Sequence, residues 1–297
     1  MKIVIFGIGG AGRAIYRTLK DDNQIIAFIE NNSSLYDTFY DDILIKPVDF
    51  IKEIEFDKIA ISGVWIEEME KQLLDLGVQE DKIWLVDDSS LKFSSLDRER
   101  TTDSLIKEFA RLMRNENISY FIEGSSLLCL LRGQNLSDVS DVDILVTSKE
   151  DIEKIWEVLN KSTIFLNQEL KKIVYEKDKI LSKKDEIDKI IVKSKNQSYD
   201  TEPTNFDINL AYDVGDFYIL DYENESYHYY SKEFIEQGRQ IEYKDMKLQI
   251  PLYAEKYVEQ AYGKNWRIPA KKWSYMDYKN LLLSNSELMK FIKKGKK

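Results

Sequence analysis

The 297-residue chain has one cysteine and one histidine. A single thiol, Cys129, excludes an internal disulfide framework and fits a reducing compartment, so a cytoplasmic location is expected. The lone imidazole, His228, lies in "ESYHYYSKEF", which reads as an exposed, tyrosine-rich strand. It leaves almost nothing for histidine-based acid–base catalysis or a zinc site. No apolar run approaches the roughly 18 residues that a membrane span needs. "MKIVIFGIGG" lacks the long apolar core and cleavage site of a signal peptide and reads as a strand from the start. Positive charge is also short: 43 Lys and Arg against 53 Asp and Glu leave a net charge of −10, which argues against binding a nucleic-acid backbone. The local basic run "KKIVYEKDKILSKKDEIDKIIVKSK" is interleaved with acids and reads largely as a solvated face.

What is present is the composition of a packed protein, with 43% apolar and 32% charged residues, only 4 prolines and 12 glycines. The first part alternates strand and helix. "KIVIFG" is a continuous apolar run of the kind buried on both faces of a parallel sheet, followed by a helix from Ala11 to about Lys20. The strands "QIIAFIE", "DILIK", "KIAIS" and "KIWLV" follow, with the amphipathic helix "IEEMEKQLLDLG" among them. The pattern predicts a small α/β domain of Rossmann type over residues 1–97, with the polar "DDSSLKFSSLDRERTTD" as linker. Residues 98–297 read as a mixed α+β domain, opened by a helix for which Asp103 is a suitable N-cap. Cys129 is expected in the apolar face of a short helix, as a small core residue.

Gly7, Gly9 and Gly12 fit G-x-G-x-x-G between a strand and a helix, where backbone amides can approach a phosphate. Glu30 ends the second strand, where an acid would hold a ribose. A nicotinamide enzyme is one reading, but the domain has about five strands and no evident hydride-transfer partner. This stretch resembles the small Rossmann-like domains that precede catalytic domains in bacterial sugar-modifying enzymes, where they hold a nucleotide-sugar or act as scaffold.

The second part carries the denser chemistry. "GSSLLCLLRGQNLSDVSDVDILV" runs from a small-residue turn through a helix to Asp141-Val142-Asp143 on a strand. Carboxylates at i and i+2 of a strand share a face, which is costly unless something positive lies between them. A strand, Gly-Ser, a helix and then Asp-x-Asp is the order found in the nucleotidyltransferase superfamily. In that reading Gly124 and Ser125 face a nucleotide phosphate, and Asp141 and Asp143 hold Mg²⁺ or Mn²⁺. Asp207, an acid inside the apolar strand "NFDINLA", is the expected third ligand, with Asp213 as fallback. The expected fold of residues 98–297 is accordingly the nucleotidyltransferase fold.

"YFIEGSSLLCLLRGQNLSDVSDVDILV" also resembles the signature of the LicD family of phosphocholine and sugar-phosphate transferases, related to fukutin. Gly124, Ser125, Leu127, Leu128, Arg132, Asp141 and Asp143 carry that likeness. "VEQAYGKNWRIPAKKW", through Tyr262, Gly263, Trp266 and Pro269, resembles the family's second block. The chain departs from the pattern at Val139 and Ser140, where the family places acids. The resemblance implies transfer of a substituted phosphate from a CDP-linked donor to a hydroxyl of a glycan or lipid-linked glycan. Arg132, and from the second block Arg267, Lys271 and Lys272, would contact donor phosphate. The aromatics Tyr262, Trp266 and Trp273 are expected in the core. The rival reactions are nucleotidyl transfer from an NTP and the nicotinamide chemistry above; a non-catalytic nucleotide-sugar-sensing or scaffold protein is the third rival.

Overall fold

A computed structural model describes residues 1–63, 65–87, 90–91, 94–195, 203–222, 226–270 and 273–294. Two compact units divide the chain: Met1–Ser94 with Pro269–Tyr275, and Ser95–Ile268 with Met276–Lys297.

In the first unit the elements run β1 (Lys2–Phe6), α1 (Gly10–Leu19), β2 (Gln24–Glu30), β3 (Phe39–Tyr40), β4 (Ile43–Pro47), β5 (Lys58–Ile61), α2 (Ile66–Asp75) and β6 (Ile83–Leu85). The sheet order is β3-β4-β2-β1-β5-β6; only the short β3 is antiparallel. This is the Rossmann-like parallel sheet that the alternation predicts. Two apolar clusters lie on its faces, one containing Ile3, Ile5 and Phe28, the other Val4, Phe6 and Ile29. Alternate residues of β1 and β2 thus pack on opposite sides of a sheet buried on both faces.

The second unit begins with α3 (Leu96–Asn115), β7 (Phe121–Ile122), α4 (Gly124–Leu131), β8 (Asp141–Val146), α5 (Lys149–Leu159) and α6 (Thr163–Leu166). The strands β9 (Gln168–Val174), β10 (Ile187–Ser194), β11 (Asn205–Val214), β12 (Phe217–Tyr222) and β13 (Ser226–Ser231) follow. After them come α7 (Lys232–Ile235), the hairpin β14 (Gly238–Tyr243) and β15 (Met246–Pro251), α8 (Ala254–Tyr262), β16 (Leu281–Leu282) and α9 (Asn285–Lys294). The sheet runs β16-β13-β12-β11-β10-β9, and β8 joins it in parallel with β11 and antiparallel with β7. β11 is therefore shared: Asn205–Leu210 pairs with β8, and Ala211–Val214 with β12.

Four expectations change here. The second half of the expected linker is helix: Ser95, not Asp103, caps α3, its side chain accepting from the Arg98 amide at 3.1 Å. Asp97 and Glu99 in the first turn suit the helix dipole. Asp103 lies one turn further in, where Tyr243 and Lys244 reach it. The division between units accordingly falls at residues 94/95 and not 97/98, and Pro269–Tyr275 returns to the first unit. The front of the basic run forms β9, a strand whose outward lysines protect a sheet edge. Finally, His228 is on a strand but 2% exposed, packed between Tyr222 and Tyr278, and burial pushes its pKa down to about 4. Cys129 is buried as expected, and burial pushes its thiol up to about 12.

A carboxylate row as candidate functional site

Strand register assembles the site. β8 and β11 run parallel with Asp143 opposite Asp207 and Asp141 opposite Asn205, so all four share one face. β10 pairs antiparallel with β11, placing Lys189 opposite Asn209 and Ile191 opposite Asp207 on that same face. On the other flank the Glu123 amide donates to the Asp143 carbonyl at 3.0 Å, continuing the β7–β8 ladder. Three strands thus carry Glu123, Asp143 and Asp207 in one row, with Asp141 one step along.

Helix α4 begins immediately after Glu123, and its first residues hold Asp143 from several sides. Gly124 has φ +55°, a left-handed conformation that favours glycine, and a Cβ there would lie 2.9 Å from Asp143 Oδ2. The Ser125 hydroxyl donates to Asp143 Oδ2 at 2.9 Å. Ser126, fully buried, accepts from the Asp143 amide at 2.9 Å and donates to the Asp141 carbonyl at 3.1 Å. The Gly-Ser-Ser run is therefore the clamp that fixes the Asp-x-Asp strand. Ser125, expected to face phosphate, is engaged with the carboxylate.

The electrostatics follow from this crowding. Burial, and then Asp141, Glu123 and Asp207, hold the Asp143 carboxyl well above its ordinary pKa, against the lowering effect of Ser125. Asp141 is raised as well, by burial first and then by Asp207. Glu123 is fully buried; burial lifts it to about 7 although Tyr257 donates to its Oε2 at 2.7 Å and Asn209 to its Oε1 at 3.4 Å. The Tyr257 ring is itself stacked on Tyr230, with centroids 3.9 Å apart. Among the described residues, the cation the fold brings to the row is Lys189, paired with Asp207 Oδ2. Burial opposes its charge, but Asp207, Asp143 and Asp141 outweigh that and raise its pKa.

The Asp141–Asp143 pair fits one hard divalent cation: two oxygen donors on one strand face, charged only against burial and each other. Asp207, the expected third ligand, stands opposite Asp143 and is paired through Oδ2 with Lys189. Among the described residues no group of three or more His, Cys, Asp or Glu is arranged to hold a metal ion. Asp213 is half-exposed and bridged to Lys232 at 2.7 Å, away from the row's register. Arg132 donates from Nε to the Trp266 carbonyl at 3.0 Å, so its guanidinium helps anchor the turn after α8. Trp266 is buried and Tyr262 packs against the same core, as expected. Arg267 lies over the Trp266 ring, and Lys271 and Lys272 are outside the described residues.

Sequence reading missed Glu123, Lys189 and Tyr257. The signal for the first two was present: each is a charged residue interrupting an apolar strand, in "YFIEG" and "DKIIV". Tyr257 had no local signal; it meets Glu123 only through packing of α8.

In the first unit Gly7 and Gly9 lie in the β1–α1 turn and Gly12 in the first turn of α1. A Cβ on Gly12 would sit 1.9 Å from the Gly7 carbonyl oxygen, so this glycine is needed for close helix–strand packing. Glu30 accepts from the Ile8 amide at 3.0 Å and from the Asn31 and Asn32 amides at 2.8 and 3.1 Å. Its carboxylate thus ties the glycine turn to the end of β2.

Residues 1–84 match the family model described as C2185-like, N-terminal. No curated protein matches the chain by sequence. Among solved structures it is similar to a lincomycin-bound lincosamide antibiotic adenylyltransferase, with 13% identity and TM-score 0.32 over 52% of this chain and 79% of that one. It is also similar to an MviM dehydrogenase from Clostridium difficile, with 12% identity and TM-score 0.24 over 78% and 80% of the two chains. A probable dehydrogenase from Thermotoga maritima gives 11% identity and TM-score 0.24 over 99% and 89%. These matches are not with LicD proteins, and the family expected from the sequence is corrected accordingly. The structure supplies a physical reason at the point of departure. Val139 packs against the core and the Ser140 hydroxyl donates to Asp141, so neither position serves as an added acid of the site. No helix among the described residues is long and apolar enough to cross a membrane.

Proposed function

We propose that the second unit transfers a nucleoside monophosphate from a nucleoside triphosphate to an acceptor hydroxyl, as a nucleotidyltransferase. The carrying observation is the half-buried Asp143 carboxylate, flanked by Asp141 and clamped by Ser125 against Gly124 at the start of α4. The order of strand, Gly-Ser, helix, Asp-x-Asp strand, with a third acid on the adjoining parallel strand, resembles the nucleotidyltransferase superfamily.

Mg²⁺ or Mn²⁺, when bound, supplies charge neutralisation on the donor phosphates and eases attack by the hydroxyl. The chain's own part is to present the two oxygen ligands at a fixed spacing. Ser125 and Ser126 hold Asp143 and its strand, and Gly124 leaves room for it. Lys189 keeps Asp207 in place beside the pair. In the reaction the acceptor oxygen bonds to the α-phosphorus, the bridge to the β-phosphate breaks, and pyrophosphate and a proton leave.

The test is to incubate the chain with Mg²⁺ and each NTP, and in parallel with CDP-choline, CDP-glycerol and CDP-ribitol. Pyrophosphate release that Asp141→Asn and Asp143→Asn abolish is the expected result. CMP release from a CDP-alcohol would instead show transfer of a substituted phosphate by the same carboxylates. Neither product, or products indifferent to both substitutions, would overturn the reading.

A further inference from the structure

Resting on that reading, we infer that Lys189 is a built-in cation standing in for a second metal ion, so that the centre takes one divalent ion, on Asp141 and Asp143. Phosphate-transfer sites that use two metals need a carboxylate set able to bridge ions roughly 3.5–4 Å apart. Here the acid that would complete such a set, Asp207, already has its partner. Lys189 Nζ lies on Asp207 Oδ2, both side chains largely buried at 23% and 20% exposure.

The placement is fixed by backbone and not by a flexible surface arm. Lys189 stands opposite Asn209 in the β10–β11 ladder, and Asp207 stands opposite Asp143 in the β8–β11 ladder. β9 pairs with β10 on its far side, with Ile173 opposite Lys189. The ammonium therefore emerges from a strand with partners on both sides and meets the row at its third acid. One divalent ion and one lysine carry +3 against the three aspartates, while Glu123, the fourth acid of the row, is held by Tyr257 and Asn209; a second divalent ion would have to break the Lys189–Asp207 ion pair.

Electron paramagnetic resonance of the full chain titrated with Mn²⁺ alone reads this directly. Wild type is expected to bind one Mn²⁺ with no spin-coupled pair. Lys189→Ala frees Asp207 and is expected to bind two, with a coupled signal, while Lys189→Arg keeps the cation and binds one. Asp207→Asn is expected to weaken Mn²⁺ binding by about 100-fold at most, the scale of a change outside the ligand set, while Asp143→Asn abolishes binding. Two coupled ions in wild type, one ion in folded Lys189→Ala, or loss of binding in Asp207→Asn would overturn the inference and leave the phosphate-transfer reading intact. No Mn²⁺ bound by any variant would sink both. Should Lys189→Ala not fold, the wild-type count and the Asp207→Asn affinity still decide.

Discussion

Replacing Asp143 with asparagine should make the metal-free protein more stable while ending its use of a divalent ion. The wild-type carboxylate is half-buried beside Asp141, Glu123 and Asp207, with Lys189 the offsetting cation among the described residues. The Asp141 and Asp143 carboxyls are close enough to share a hydrogen bond, and two like charges about 4 Å apart repel by about 4 kcal/mol at an effective dielectric of about 20. Partial protonation and solvent relieve some of this, so a gain of about 1–3 kcal/mol is expected at neutral pH. In a unit of this size that corresponds to a rise in Tm of roughly 3–10 °C. The asparagine oxygen can still accept from Ser125, so the clamp survives. The pH dependence has a definite sign. The folded Asp143 pKa lies above that of the unfolded chain, so its favourable contribution is present at low pH and lost as pH rises through the folded value. The difference between variant and wild type should therefore be small near pH 4 and grow towards pH 8. Calorimetric melts at both pH values, with and without Mg²⁺, provide the assay. Mg²⁺ should raise the wild-type Tm and leave the variant unmoved. A variant less stable than wild type at pH 8 without metal would refute the view of Asp143 as a strained carboxylate awaiting a cation.

Three further substitutions test the supports of the site and the boundary of the unit. Gly124→Ala should lose roughly 1–2 kcal/mol to its left-handed backbone alone and displace Asp143 as well, weakening Mn²⁺ binding; wild-type Mn²⁺ affinity would show that Asp143 has room to move. Ser95→Ala should remove the cap of α3 at about 1 kcal/mol, seen as a fall in Tm of about 2–4 °C, whereas Asp103→Ala should leave helix content near residue 95 unchanged by amide exchange.

The parts of the molecule readable from sequence are those whose signals are local. β1, β2, β5 and β8 are apolar runs, and the glycine turn, the Asp-x-Asp strand and the β14–β15 hairpin each show themselves within a dozen residues. The start of α3 was hidden because its first two turns, "LDRERTTD", carry a single apolar residue, the exposed Leu96, before Leu105 meets the core. β9 was hidden for a related reason, since an edge strand needs charge more than alternation. In the site, Asp207 could be chosen over Asp213 because it interrupts an apolar pattern. Its pairing with Lys189 depends on the register of two ladders, which no stretch of sequence states. The likeness to LicD rested on two short blocks of residues and failed at Val139 and Ser140, which turn inward and to Asp141.

The double flanking of β11 bears on where the site can yield. Phe206–Asn209 is hydrogen-bonded to β8 on one side and β10 on the other, so local opening there must rupture two ladders at once. The backbone under Asp207 therefore belongs to the slowest-exchanging part of the second unit, opening only with the unit as a whole. Adjustment to an arriving substrate falls to side-chain rotation and to the elements around that strand, while the row itself behaves as a fixed ruler.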